Sequence, residues 1–571
     1  VINGNLAKIR VGTDRAIHGS DFALDLSVDG DLKAFEAFGA VTGDIFARGD
    51  VRKFMVAADP VTAGTDILAG KIDILGNASQ VSVVGGNLGE DVFYTVAGDI
   101  NQFKVVDGDI MDGAVITSSF GNIKNITVNS GGVFGAVRVP NGSIKALTVS
   151  GADLGNNADP ATIEALEVGT IRFNGSMMPG TGVNIVGLLS NLIVDGSVMA
   201  GATINAGAAA AIRVGLDMAG SIRLGHHEKG TKLVVGGNLG GTTVIDADTS
   251  IDVGADITAD ASVFVGRHLP KLKVGSSRGT LGTIRGNVFA SKSGGQWHVG
   301  AVDGGVLTTG FDLSQLSVAT TVSNSLIQAG IQPGVDGTYA TTAAGRDFGE
   351  QSTIASIGKV TAATISDSVL SAAGNFNQLT VGTGLVRSSV SSGLSVGSAA
   401  IVGVIDDDTP LATDVEQNAA RSGTDRELFH GHVNKVHVGQ SAMQASAVTA
   451  GIDAGPDGAF GSGDDGVLFQ IPGRRLPDGG GRSVIGDISG VADAASFILA
   501  DSGIGKRTKF VGGNISENVS YSLEDLTSGL DAAGALEALQ GVASHEVPVT
   551  HDGLRVSLDS RRAEGATVTV Y

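Results

Sequence analysis

The feature that most constrains this chain is a short pattern that returns along most of its length. It runs Gly, then Asn, Asp or Ser, then an apolar residue, two variable positions, an apolar residue, a variable position and usually Val. The first copy is Gly4-Asn5-Leu6-Ala7-Lys8-Ile9-Arg10-Val11, and full copies follow at residues 49–56, 98–105, 121–128, 142–149 and 374–381. The glycines at 4, 30, 49, 76, 98, 121 and 142 stand 19 to 27 residues apart, a period near 23. Copies at 163–168, 269–274 and 313–318 drop the glycine and keep the apolar register. Repetition at so short a period marks a solenoid, because one such unit can bury its apolar face only against the next.

The last three positions of a copy alternate apolar, polar, apolar, as in Ile126-Thr127-Val128, which is the period of a strand with one face inside. Gly with Asn or Asp supplies the bend, since these residues tolerate the positive φ of a tight corner. The expectation is an all-β fold, a right-handed parallel β-helix (β-solenoid) over residues 1–521, with coils of about 23 residues and every strand hydrogen-bonded to the coils above and below. A tandem array of β-sandwiches is the alternative. Such domains run to about 100 residues and give no reason for so short a repeat.

Composition agrees with this reading. Glycine is abundant at 87 residues while proline is only 11, and the apolar fraction is 42%, so the chain has the means to pack rather than the Pro/Gly signature of disorder. Aromatic residues make up only 4%, leaving Val, Ile, Leu and Ala to fill a thin interior. A net charge of −21 repels phosphate backbones, which argues against a nucleic-acid partner, and it attracts multivalent cations. The absence of Cys removes disulfides and thiolate metal sites. No apolar run is long enough for a transmembrane helix, and the start at Val1 lacks the regions of a signal peptide, so the sequence reads as a mature chain or a fragment.

At the residues quoted, the chain resembles the large β-helical surface proteins of bacteria, in which Gly-Asn or Gly-Asp corners alternate with short Val/Ile strands; the resemblance spans about residues 1–520. It implies an exported adhesin, surface layer or fibre component, at the cell surface or outside the cell. The function expected is a structural subunit of an extracellular filament or surface layer. A surface adhesin binding glycans or proteins is the alternative, followed by a glycan-active enzyme, since parallel β-helices also host lyases and hydrolases. The best carboxylate cluster for an enzyme is Asp246, Asp248, Asp252, Asp256 and Asp260, yet its only nearby aromatic is Phe264 and its nearest arginine is Arg267. The chain is therefore read as non-catalytic, with no catalytic residues assigned.

Three stretches interrupt the repeat, at 329–351, 406–430 and 450–481, and insertions in solenoids commonly leave from one face to carry binding or assembly. Residues 329–339 match 450–460 at an offset of 121, a second-level duplication. The later copy continues through Gly461-Ser462-Gly463-Asp464-Asp465-Gly466, so that Asp453, Asp457, Asp464 and Asp465 stand on one Gly-rich loop. These carboxylates suit Ca2+, the one cofactor expected here, although their spacing is not that of an EF-hand and a solvated acidic turn is the plainer reading. His430-Gly431-His432 and His226-His227-Glu228 lack the further ligands of a transition-metal site.

Residues 522–571 change character. Leu523, Leu526 and Leu530 follow a helical spacing behind Ser522 and Asp525, predicting a short helix that ends at Gly541, and alternation at 554–558 and 568–571 predicts strands. This segment reads as a cap or docking module. Val1, Ile2 and Leu6 lie at or before the first corner and leave the first coil uncapped, while Val568, Thr569, Val570 and Tyr571 form an uncharged alternating segment. An open strand edge is a template for another strand, so the partner expected first is a second copy of the chain, in a head-to-tail homopolymer.

Overall fold

Where the sequence alternates, the chain runs as strand, and each strand lies on its counterpart one coil away. Ile100–Val106 pairs in parallel with Ile123–Asn129, Ile100 against Ile123 and Val105 against Val128. In this computed structural model the chain is an all-β parallel β-solenoid of about 16 turns, with roughly 21 residues in each. The structure describes residues 1–12, 21–58, 65–275, 281–330, 355–393, 431–439, 443–444 and 446–450, together with strand segments at 452–453, 466–467, 485–490, 497–500, 509–510, 556–559 and 567–570. It divides into two compact units, Val1–Gly266 and Arg267–Tyr571.

In the unit Val1–Gly266 a turn is made of three short runs, such as Ile100–Val106, the single bridge at Ile110 and Val115–Ser118. Each run has its own ladder. The first stacks Phe35, Phe54, Val81, Phe103, Ile126 and Leu147; the second stacks Ile110, Val133, Leu154, Met177, Val198 and Met218; the third stacks Ile72, Tyr94, Ile116, Val137, Ile163 and Val183. All of these side chains are buried, so the core is a set of parallel rows of apolar side chains, mostly aliphatic. Near its start the interior is filled by rings, Phe22, Phe35, Phe54, Tyr94 and Phe103, with successive centroids 5.0 to 5.7 Å apart.

The turn is tighter than the 23-residue spacing of the early corners. From Ala136 onward the third run flows directly into the first, as the single strands Ala136–Val149, Thr162–Phe173, Gly182–Val194 and Thr203–Val214. The bend is taken by register irregularities within them, between Val139 and Ser143 for example, so fewer residues are spent on that corner.

The corner glycines correct an expectation. Only Gly4 has a positive φ, of 105°, whereas Gly30, Gly49, Gly76, Gly98, Gly121 and Gly142 do not. These residues are glycine because the coils approach closely there. A Cβ on Gly121 would stand 2.3 Å from the carbonyl carbon of Gly98, and one on Gly142 would stand 2.0 Å from the carbonyl oxygen of Gly121.

The unit Arg267–Tyr571 repeats the plan with different packing. Its first ladder stacks Leu272, Trp297, Leu316, Val360 and Leu379. Trp297 is fully buried and its indole Nε1 donates to the carbonyl of Leu269 at 3.0 Å. Its third ladder stacks Val306–Thr309, Leu326–Ala329, Val369–Ala372, Ser389–Ser392 and Ala447–Ala450. The described residues hold no helix, and the helix expected over 522–541 lies outside them. Of the expected C-terminal strands, Val556–Asp559 and Thr567–Val570 are formed, and they pair with each other as an antiparallel sheet of two strands.

Candidate functional site

The Asn and Asp of the repeat have a definite task. The backbone amide of Asp31 donates to Oδ1 of Asn5 at 2.8 Å, that of Asp50 to Asp31 at 3.0 Å, that of Asn77 to Asp50 at 2.8 Å, and so on with the amides of Asp99, Asn122 and Ser143 donating to Asn77, Asp99 and Asn122. Each side-chain oxygen caps the corner amide of the next coil, a donor that no strand partner could reach. A second ladder of the same kind runs through Asp153, Ser176, Ser197, Asp217, Asn238 and Asp256 at the corner before the bridge residues. The sequence reading missed it, although Gly175-Ser176-Met177, Gly196-Ser197-Val198 and Gly237-Asn238-Leu239 carry the signal of a small residue, a short polar residue and an apolar one.

In the unit Arg267–Tyr571 Asp312 and Asn375 still cap the first corner, and serine caps a further one, before the third ladder. The amides of Ser325, Ser368 and Ser388 donate to Oγ of Ser368, Ser388 and Ser446 at 3.1 to 3.2 Å, and each hydroxyl in turn donates to the carbonyl two residues before it. All four serines are buried.

The three interruptions have a common origin. The strands Leu326–Ala329, Ser389–Ser392 and Ala447–Ala450 belong to one ladder, in which Ala329, Ala372, Ser392 and Ala450 are stacked. The stretches 331–354 and 394–430, and the one that follows 450, leave from its ends. The duplicated residues Ala329 and Ala450 thus occupy the same row. This ladder is buried on both faces: Ile327, Leu370, Val390 and Val448 line one side, and Gln328, Ser371, Ser391 and Thr449, equally buried, line the other.

Of the expected calcium residues, only the backbone of Asp453 is described. Ile452–Asp453 pairs antiparallel with Gly466–Val467, which sets Asp453 opposite Gly466, the residue after Asp464 and Asp465. The side chain of Asp453, and all of Asp457, Asp464 and Asp465, lie outside the described residues. Among the described residues, no three His, Cys, Asp or Glu side chains come together as a metal-holding group.

The carboxylates at 246–260 are distributed around the coils. Asp252 is on the strand Thr249–Val253, Asp256 is a corner residue of the second ladder, and Asp260 accepts from the Thr258 hydroxyl at 2.5 Å, a bond that holds its carboxyl below the usual range. The histidines are bound to neighbours. Nδ1 of His227 lies 2.6 Å from the carbonyl of Gly230 and that of His226 lies 3.3 Å from the carbonyl of Asp246, while the His432 amide donates to Asn375 Oδ1 at the corner before Val433–Val438. His430 lies outside the described residues.

The assembly residues are placed as follows. Val1 is exposed, and Ile2 and Leu6 bridge to Val28 and Leu32. Val568, Thr569 and Val570 stand opposite Leu558, Ser557 and Val556, and Tyr571 lies outside the described residues. No helix among the described residues is long and apolar enough to cross a membrane. The chain matches no protein-family model, no curated protein and no solved structure.

Proposed function

We propose that the chain is a structural, non-catalytic subunit of an extracellular filament or surface layer. The observation that carries this reading is the use made of its polar corners: the Asn, Asp and Ser side chains of successive coils are engaged by the backbone amides of their neighbours. Side chains so engaged build stacking rather than a reaction centre.

The assembly proposed runs head to tail. Among the described residues the strands Val556–Asp559 and Thr567–Val570 pair with each other and with no other strand, and an isolated two-stranded hairpin is marginal in water. Leu6 and Ile9 are half-buried, whereas Leu32 and Phe35, stacked upon them, are fully buried. Adding the hairpin of one copy at Ile2, Leu6 and Ile9–Val11 of the next would extend the ladder and bury both. Electron microscopy of the purified chain tests this. Filaments or sheets are expected, and deletion of residues 547–571 should leave a folded chain that does not polymerise. Normal polymers after that deletion would overturn the proposal.

The second reading, a surface adhesin, draws on the three interruptions that leave a single ladder, an arrangement suited to display. It is distinguished by binding to cell-surface glycan or protein without self-association. In either case Ca2+ held by Asp453, Asp457, Asp464 and Asp465 would tie down the hairpin that sets Asp453 opposite Gly466. A rise in Tm with millimolar Ca2+, reversed by chelator, is the expected result; an unchanged Tm would remove calcium from the account.

A further inference from the structure

Over the coils from Leu32 to Val149 the charges beside the first ladder are sorted by position. Asp31, Asp50 and Asp99 stand at the corner before it and Asp107 at the corner beyond it, while Asp252 joins its outward side only several coils later. The outward side of that ladder is basic. Lys33, Arg52, Lys124, Lys145 and Arg213 are exposed on it, and Lys104 is half-exposed. The register Leu32 to Val51 and Ala34 to Lys53 sets Lys33 and Arg52 abreast, and the register Ile123 to Ile144 and Asn125 to Ala146 sets Lys124 and Lys145 abreast. Between these pairs the same row holds Ser79 and Asn101 and no carboxylate. Glu36, on the same sheet face, is already gripped by Lys8 and Lys53 at 2.7 and 2.6 Å.

Like charges abreast on neighbouring strands destabilise a sheet. None of Lys33, Arg52, Lys124 and Lys145 packs in the core, and in a chain of net charge −21 the row is a local cationic strip. We propose that it is a binding face for a linear anionic polysaccharide lying along the coil axis. Coils repeat about every 4.8 Å along that axis, close to the length of one pyranose unit, so adjacent carboxylates or sulfates of such a chain meet the adjacent coils of Lys33 and Arg52 and, past the Ser79 and Asn101 coils, those of Lys124 and Lys145. Asp31, Asp50 and Asp99 on one flank and Asp107 on the other repel a polyanion and bias it toward the strip between them. The face offers little to a nucleic acid, which gains much of its single-strand affinity by stacking bases on aromatic rings. On the strands of the row the outward aromatic is Phe38, with the guanidinium of Arg10 5.2 Å from its ring centre, and the exposed Phe120 stands at the corner before Ile123–Asn129 rather than on the row. This inference does not depend on the assembly proposed above.

The test is calorimetric titration of the whole chain with polygalacturonate, with dextran as the neutral comparison and oligo-dT as the nucleic acid. Polygalacturonate should bind and the other two should not. Substituting Lys33→Gln, Arg52→Gln, Lys124→Gln and Lys145→Gln together should weaken binding at least tenfold. It should also reduce the slope of log affinity against log salt by roughly 3, at about 0.7 per neutralised charge. Arg223→Gln, an exposed position on the third ladder, should leave binding unchanged. Replacing Lys33, Lys124 and Lys145 by Arg keeps the charge and should keep the affinity, which separates loss of the face from loss of the fold. Unaltered binding by the fourfold variant, equal binding of dextran, or tighter binding of oligo-dT than of polygalacturonate would each overturn the assignment. So would a fourfold variant that loses self-association while retaining the polysaccharide.

Discussion

Arg387 grips Asp367, its counterpart one coil away, through both carboxylate oxygens, Nε to Oδ1 at 2.5 Å and Nη2 to Oδ2 at 2.8 Å. Both residues have positive φ, 41° and 49°, and each immediately precedes a serine of the buried corner ladder. A side chain at such a φ is strained, and the fork between the two corners offsets that strain while fixing the serines behind it. Arg387→Ala loses the fork and keeps the strain, and should lower stability by about 1–2 kcal/mol in urea unfolding. Arg387→Gly relieves the strain and should fall between wild type and alanine; a glycine variant less stable than the alanine variant would contradict this account.

The amide cap at the first corner is measurable in isolation. Asp50 accepts from the amide of Asn77 and from its side-chain Nδ2, at 2.8 and 3.0 Å. Asp50→Ala leaves that amide without its partner and should cost about 1 kcal/mol, whereas Asp50→Asn keeps an acceptor oxygen and should cost little. Thermal unfolding of the two variants side by side decides it.

Two glycines separate closeness from conformation. Gly121 has no positive φ, and a Cβ there would meet the backbone of Gly98, while Gly304 has a φ of 69° and open space around it. Gly121→Ala must push two coils apart and should destabilise by about 1–3 kcal/mol. Gly304→Ala meets only the backbone penalty, about 1 kcal/mol. Reversed magnitudes would show that the corner gives way more easily than the register implies.

Hydrogen bonds and charge from Lys53, then from Lys8, hold the carboxyl of Glu36 down to about 2, against an ordinary value of 4.5. Its pKa is lower in the folded chain than in the unfolded one. Its stabilisation is therefore complete above about pH 4.5 and disappears as the pH falls toward 2. Glu36→Gln should unfold at lower urea than wild type near neutral pH, by roughly 1 kcal/mol because both lysines are largely solvated. The gap should close on acidification. A gap that does not depend on pH would assign the loss to packing.

Tyr94 lies fully buried with its ring edge-on to Phe54 and Phe103, and its hydroxyl has no hydrogen-bond partner. Burial pushes its phenol far above the usual range. Tyr94→Phe keeps both ring contacts and removes an unsatisfied polar atom, so it should raise the unfolding free energy by about 1 kcal/mol, read in urea unfolding. A clear loss of stability would mean that the hydroxyl is satisfied.

Much of the architecture was legible in the chain itself. Alternation at period two, punctuated by Gly-Asn and Gly-Asp, leaves stacking as the only way for such short segments to bury Leu32, Val51, Ile100, Ile123 and Ile144, and these residues do form one row of the core. The acidic bias and the missing cysteines also follow from composition alone. What the sequence could not show is which residues come abreast. Corner spacings vary from 19 to 27 residues, so no constant offset pairs Lys33 with Arg52, Glu36 with both Lys8 and Lys53, or Arg387 with Asp367. Each offset depends on how many residues the intervening corners consume, and that is settled only when the coil closes. The reason for the corner glycines was hidden in the same way. A glycine required by φ and one required by a neighbouring backbone are identical in sequence, and only the approach of Gly121 to Gly98 distinguishes them.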